Sequence, residues 1–128
     1  MIVLHHVQVS CPPGGEDGAR RFWVDGLGLT EVQKPAALAG RGGAWFRAHD
    51  GDAVTAEIHV GVEEPFVPAV KAHPAVVLDS LEVLEATGAR LADLGFDVSW
   101  AERDTFDGFV RFHARDAHGN RVEVMTPA

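Results

Sequence analysis

Four side chains able to hold a metal ion or carry a proton recur at ordered places in the chain: His6, His59, His73 and Glu123. His6 lies in Leu4-His5-His6-Val7-Gln8-Val9-Ser10, and 67 residues later His73 lies in Ala72-His73-Pro74-Ala75-Val76-Val77-Leu78-Asp79. The same offset of 67 separates two small turns, Leu27-Gly28-Leu29 and Leu94-Gly95-Phe96. A constant offset across independent landmarks marks duplication of one folding unit. His59 and Glu123 stand 64 apart, as equivalent residues would if the second copy were slightly shorter. Neutral imidazoles and one carboxylate are donors that Zn²⁺, Ni²⁺, Fe²⁺ or Mn²⁺ accept, and three ligands with one or two open positions leave room for water or substrate. A duplicated unit places two equivalent strands near a pseudo-two-fold axis, where both halves can feed one site.

The elements that must position these residues read alike in both halves. Residues 3–10 alternate as a strand and stop at Pro12-Pro13-Gly14-Gly15. Glu16 and Asp17 then suit the positive end of a helix dipole, Ala19, Phe22, Trp23 and Leu27 form its apolar stripe, and Gly26 and Gly28 end it. Three strands are expected at residues 30–34, 44–48 and 54–63, the last two following a flexible Gly40-Arg41-Gly42-Gly43 hairpin and an Asp50-Gly51-Asp52 turn. The first module therefore spans residues 1–63, a linker 64–71, and a second module 72–128. In that second copy a strand runs over residues 73–79, and Asp79 with Glu82 has the form of a capping box. Leu81, Leu84, Leu91 and Leu94 face the core of the helix, which Gly88 weakens by about 1 kcal/mol relative to Ala. Strands at residues 97–101, 109–114 and 121–126 complete the copy.

Side chains alternate along a strand, so parity decides which residues share a site. Val7 and Val9 take the core face and leave His6, Gln8 and Ser10 on the other. Ile58, Val60 and Val62 oppose Glu57, His59 and Gly61, while Val122 and Val124 oppose Arg121, Glu123 and Met125. Pro74, Val76 and Leu78 form a core row, and Val110 and Phe112 alternate against Arg111 and His113. His6, His59, His73 and Glu123 thus fall on the non-core faces of four strands as the candidate metal ligands. Gln8, Arg111, His113, Trp45, Trp100 and Phe109 are candidates to touch a substrate, Arg111 by pairing with a carboxylate. His5, His49 and His118 lie near the chain start or in turns, and Lys34 and Lys71 read as surface charges.

At 128 residues the chain is long enough for one domain with a sizeable core. Its net charge of −8 opposes binding to nucleic acid or an anionic membrane, both of which need basic surface. With neither a signal peptide nor a long apolar run, a cytoplasmic protein is expected. The one cysteine, Cys11, has no partner for an internal disulfide and reads as a small apolar filler.

Phe22-Trp23-Val24-Asp25-Gly26-Leu27-Gly28-Leu29 is similar to the first-helix signature of the vicinal oxygen chelate superfamily, which includes glyoxalase I, bleomycin-resistance proteins and extradiol dioxygenases. Asp116-Ala117-His118-Gly119-Asn120-Arg121-Val122-Glu123 resembles that superfamily's terminal turn and strand, and the likeness covers essentially the whole chain. Trp45-Phe46-Arg47, the run 58–63 and Lys71-Ala72-His73-Pro74 resemble its glyoxalase-like branch. The resemblance implies an α+β fold of two tandem βαβββ modules, forming a cupped mixed β-sheet with helices outside. It also implies that His6, His73 and Glu123 are ligands of a divalent metal, with His59 in a slot that glyoxalase I fills with glutamate. His59 is then either a ligand or a base.

The function so implied is a metal-dependent lyase or isomerase acting on a small oxygen-chelating metabolite through an enolate-type intermediate. Glu123 or His59 would move the proton. A metal-free binding or sequestering protein of the bleomycin-resistance type is the alternative, and the acidity of the chain favours a basic ligand for it. A ring-cleaving dioxygenase ranks below both, because the chain has no Tyr to serve as a phenolic acid or base. A homodimer is expected, with the cup completed either by the chain's own halves or by a partner's.

Overall fold

The computed structural model describes residues 1–128 and divides into two units, Met1–Pro68 and Ala69–Ala128. In the first, β1 (Val7–Cys11) leads through α1 (Glu16–Arg20) and its wider π-type continuation (Arg21–Gly26) to β2 (Thr30–Val32), β3 (Ala44–Asp50) and β4 (Ala53–Val62). A one-turn helix α2 (Ala36–Ala39) lies between β2 and β3. In the second, β5 (Ala75–Val77) is followed by α3 (Leu81–Asp93), β6 (Val98–Ser99), β7 (Phe109–Arg115) and β8 (Arg121–Pro127). The sheet orders, β1-β4-β3-β2 and β5-β8-β7-β6, are the same. In each, the first strand pairs in parallel with the last, and the other pairings are antiparallel. The fold is α+β, two tandem βαβββ modules. No helix is long and apolar enough to cross a membrane.

The two helices end alike. Gly28 and Gly95 both hold positive φ, 79° and 91°, the left-handed geometry that closes a helix and that residues with a side chain rarely adopt. The amides that follow them, Leu29 and Phe96, reach back to the Trp23 and Leu91 carbonyls at 2.9 and 3.0 Å. Ahead of the first of these ends, the adjacent Phe22 and Trp23 are both fully buried, their rings edge to face at 5.0 Å.

Several local expectations shift. β1 starts at Val7, and Met1 to Leu4 stay exposed ahead of its pairing with β4. Val62, expected in the core, is 38% exposed at the end of β4. The turn of helix α2 was not foreseen, since four residues behind Pro35 are too few to show a helical period. Helix α3 is capped by Ser80, whose Oγ accepts from the Val83 amide at 3.2 Å, and not by Asp79. Ser80 has the extended backbone an N-cap requires, and this one-residue shift leaves Leu81 43% exposed in the first turn. Leu84, Thr87, Gly88 and Leu91 are the residues that α3 buries. Glu16 bonds the Gly43 amide at 3.2 Å and so ties the start of α1 to the entry of β3.

Gly88 has a packing reason. A Cβ there would sit 2.7 Å from the Trp100 ring and 3.4 Å from Phe112. Gly88→Ala is therefore expected to lower the melting temperature, because overpacking costs about 1–3 kcal/mol and outweighs the roughly 1 kcal/mol gained in helix propensity. Ser80→Ala should cost about 1 kcal/mol in denaturant unfolding, through loss of its cap.

Candidate functional site

Strand register decides which side chains meet. In the first unit His59 on β4 lies opposite Gln8 on β1 and Trp45 on β3. In the second, Glu123 on β8 lies opposite Ala75 on β5 and His113 on β7. His59 and Glu123 therefore hold equivalent places, as do Trp45 and His113. His6 and His73 each precede the first-strand residue of this row by two positions. β4 and β8 are inner strands, and His59 and Glu123 are buried, 5% and 4% exposed, although both face away from the apolar rows of their strands.

In the second unit three side chains crowd one carboxylate oxygen. Glu123 Oε1 lies 3.1 Å from His73 Nε2, 3.2 Å from Arg111 Nη1 and 3.3 Å from His113 Nε2. One ligand atom from each of His73, His113 and Glu123 lies within 4.8 Å of the others, a spacing that suits a metal ion. Two details fit such an ion. His73 Nδ1 is 2.8 Å from the Lys71 carbonyl, an acceptor that orients the ring and leaves Nε2, now bonded to Glu123, as the nitrogen that would face an ion. His113 Nε2 is buried without a hydrogen bond, its approach to Glu123 being poorly aligned. A buried polar atom of this kind calls for a partner. His113, singled out from sequence only for substrate contact, belongs to this group through its cross-strand pairing with Glu123. Pro74 lacks an amide to donate, yet its carbonyl accepts from Glu123 N at 3.0 Å and continues the pairing beside His73.

The first unit assembles a different cluster. The His59 ring is stacked between Trp45, at 3.8 Å and 1°, and His6, at 4.0 Å and 17°. Its Nε2 meets Glu57 Oε2 at 2.7 Å, and Glu57 Oε1 accepts from Arg47 Nε at 2.6 Å. His6 Nδ1 lies 3.0 Å from His5 Nδ1. Glu57, only 6% exposed, is the residue the sequence reading passed over. Its place on the His59 side of β4 was legible from parity, but its pairing with Arg47 needed the β3–β4 register.

The other candidates scatter. Gln8 shares the His59 row and packs over Gly61, where a Cβ would come within 2.6 Å of Gln8 Nε2. Arg111 also bonds Thr105 Oγ1 at 2.8 Å and the Glu102 carbonyl at 3.1 Å. It covers the ring of Phe106, which packs edge to face on Phe109. Trp100 turns to the helix side instead, against Phe112 at 4.9 Å and beneath Arg103.

Burial pushes Glu57 and Glu123 up, but hydrogen bonds and charge from His59 and Arg47 on the one, and from His73 and Arg111 on the other, outweigh it and hold both below the usual carboxylate range. Burial drives His59 and His113 down, more than their neighbouring carboxylates raise them. In all four cases the unfolded state binds protons more readily than the native one, so stability rises with pH through these transitions. It should be fullest above the ordinary histidine value of 6.5, fall first as pH drops through the histidine range, and fall again below the ordinary carboxylate value of 4.5. Glu57→Gln should lose stability at pH 7 and show a shallower second decline in urea midpoints measured from pH 8 to 3.

The chain matches the family model described as Glyoxalase/Bleomycin resistance protein/Dioxygenase superfamily over residues 4–124. No curated protein matches it. Among solved structures, a glyoxalase family protein from Bacillus anthracis is 35% identical with a TM-score of 0.85, covering 100% of this chain and 97% of that one. TnmS3, an antibiotic binding protein from Streptomyces sp. CB03234, is 19% identical with a TM-score of 0.66, over 100% and 99% of the two chains. The fosfomycin resistance protein FosX from Listeria monocytogenes is 14% identical with a TM-score of 0.74, over 100% and 95%. These last two show likeness of fold alone. With most of its length matched by the family model and a third of its residues shared with a solved relative, the chain belongs to the glyoxalase/bleomycin resistance protein/dioxygenase superfamily.

Proposed function

We propose that this protein is a metal-dependent lyase or isomerase of the glyoxalase type, acting on a small metabolite with neighbouring oxygen atoms. The orphaned Nε2 of His113 beside Glu123, with His73 oriented by the Lys71 carbonyl, is the observation that carries this reading. His73, His113 and Glu123 would hold a divalent ion. When bound, such an ion offsets negative charge that builds on a substrate oxygen as a proton leaves the adjacent carbon. Glu123 stays ionised at neutral pH and so is ready to accept that proton, gaining basicity as its bonds from His73 and Arg111 loosen. His59 is neutral there with its Nε2–H on Glu57, so a proton taken up would enter at Nδ1 and the resulting charge would be held by Glu57.

Arg111 supports a second reading. Its guanidinium already gives Glu123 a positive neighbour at 3.2 Å, which balances the carboxylate without a metal and suits a metal-free binding protein of the resistance type.

Calorimetric titration of the chelator-stripped, untagged protein with Zn²⁺, Ni²⁺, Fe²⁺ and Mn²⁺ separates the two. One equivalent of a divalent ion is expected. His73→Ala, His113→Ala and Glu123→Gln should each weaken it by at least about 100-fold, beyond the ~10–100-fold typical of outer-shell partners. His6→Ala and His59→Ala show whether the first unit contributes. Absence of stoichiometric binding by any of the four ions overturns the enzyme reading in favour of the second.

A further inference from the structure

The duplicated register provides an internal comparison two residues away from the central pair of each unit. In the first unit, Arg47 on β3 lies opposite Glu57 on β4, and they form an ion pair at 2.6 Å. At the equivalent place in the second unit, Arg115 on β7 lies opposite Arg121 on β8. Two like charges directly opposed across strands are destabilising. The chain has 19 acidic residues, yet none forms an ion pair with either arginine.

The two arginines are not equivalent. Arg115 Nη1 is held by backbone carbonyls, at 3.2 Å from Val70 and 3.5 Å from Ala69 and Gly119. The Arg121 guanidinium is half-buried and makes neither a hydrogen bond nor an ion pair. Both border a cavity of about 520 Å³, together with His113, Ser99, Asp97 and Glu102. That volume lies within the roughly 300–1,000 Å³ usual for small-molecule sites. Of its two carboxylates, Glu102 is engaged by Thr105 at 2.7 Å and stands 3.9 Å from Arg111, and Asp97 is exposed. Neither carboxylate pairs with Arg115 or Arg121, so these two cations line the cavity without an acidic partner.

We propose that Arg121, backed by Arg115, is a subsite for an oxyanion of the ligand, so that the molecule this face receives is an organic anion bearing a carboxylate or phosphoryl group. Where the first unit carries its own carboxylate, the second leaves that place for the ligand to fill. A planar guanidinium fork suits either oxyanion. The proposal deepens the function above by naming the substrate class and rests on that reading for the reaction alone, since anion binding requires no metal.

The test uses the full chain in chelator, titrated with oxalate, inorganic phosphate and, at matched ionic strength, chloride, while the arginine Nε–Hε signals are followed by NMR. Saturable shifts of the Arg121 signal with oxalate or phosphate are expected, the preferred ion identifying which oxyanion is read, with chloride giving none. In Arg121→Gln the affinity, read from backbone amide shifts around the cavity, should fall at least about tenfold, the weight of one charge-assisted pair. The exposed Arg41→Gln should bind as the wild type does. Because Arg121→Gln removes a repulsion and Arg121→Glu supplies Arg115 with a partner, both should melt a few degrees higher without ligand. Non-saturable shifts, equal loss in Arg41→Gln, or variants that melt lower and still bind the anions would overturn the proposal. Anion binding without metal binding removes only the enzyme reading; metal binding without anion binding removes only this subsite.

Discussion

The parallel pairing of the first strand with the last strand of each unit is the constraint on which the remaining structure depends. No turn can join two parallel strands, so the pairing must be established across a whole module, with the helix and both hairpins folded in between. It places Val7 to Cys11 against Ile58 to Val62, and Ala75 to Val77 against Glu123 to Met125. A slip of one residue would turn His59 and Glu123 into the apolar layers and bring Ile58 and Val124 out of them. The fully buried Phe22, Trp23, Leu84 and Leu91 oppose such a slip, because each helix covers one particular apolar row.

The two units put this common register to different uses. The first pairs the polar groups of its central rows: His59 is closed between Trp45 and His6, and Glu57 is matched by both His59 and Arg47. A buried carboxylate with two donors is a settled arrangement, since losing one partner would leave a desolvated charge. The second unit is left incomplete. His113 Nε2 has no hydrogen bond, and Arg115 opposes Arg121. Unmet polar groups of this kind cost stability, and each calls for an explanation.

Charge illustrates the same separation of scales. A net charge of −8 speaks against a polyanionic partner, because long-range attraction depends on the sum over the surface. It does not set the sign of a single concave face, where Arg111, Arg115 and Arg121 stand on adjacent strands around one buried glutamate. The expectation of a basic ligand rests on the whole chain, whereas the proposed oxyanion subsite rests on this local geometry.

Much of this was legible in the chain. The 67-residue recurrence identified the modules and matched His6 with His73, because duplicated units preserve their landmarks. Strand parity put His59 and Glu123 on the faces opposite the apolar rows, because alternation is a property of the extended backbone itself. Cross-strand pairing was not legible. His113 beside Glu123, Arg47 on Glu57 and Arg121 opposite Arg115 each join residues whose sequence separation says nothing about register. Gly88 likewise read as a weak point of a helix until the ring of Trp100 was found against it. The sequence by itself determined the repeat, the order of elements and the face on which each candidate lies, all of which follow from local periodicity. Only the tertiary structure decided which neighbours those side chains meet and which charges remain unmatched, because contact and burial depend on how strands distant in the chain align.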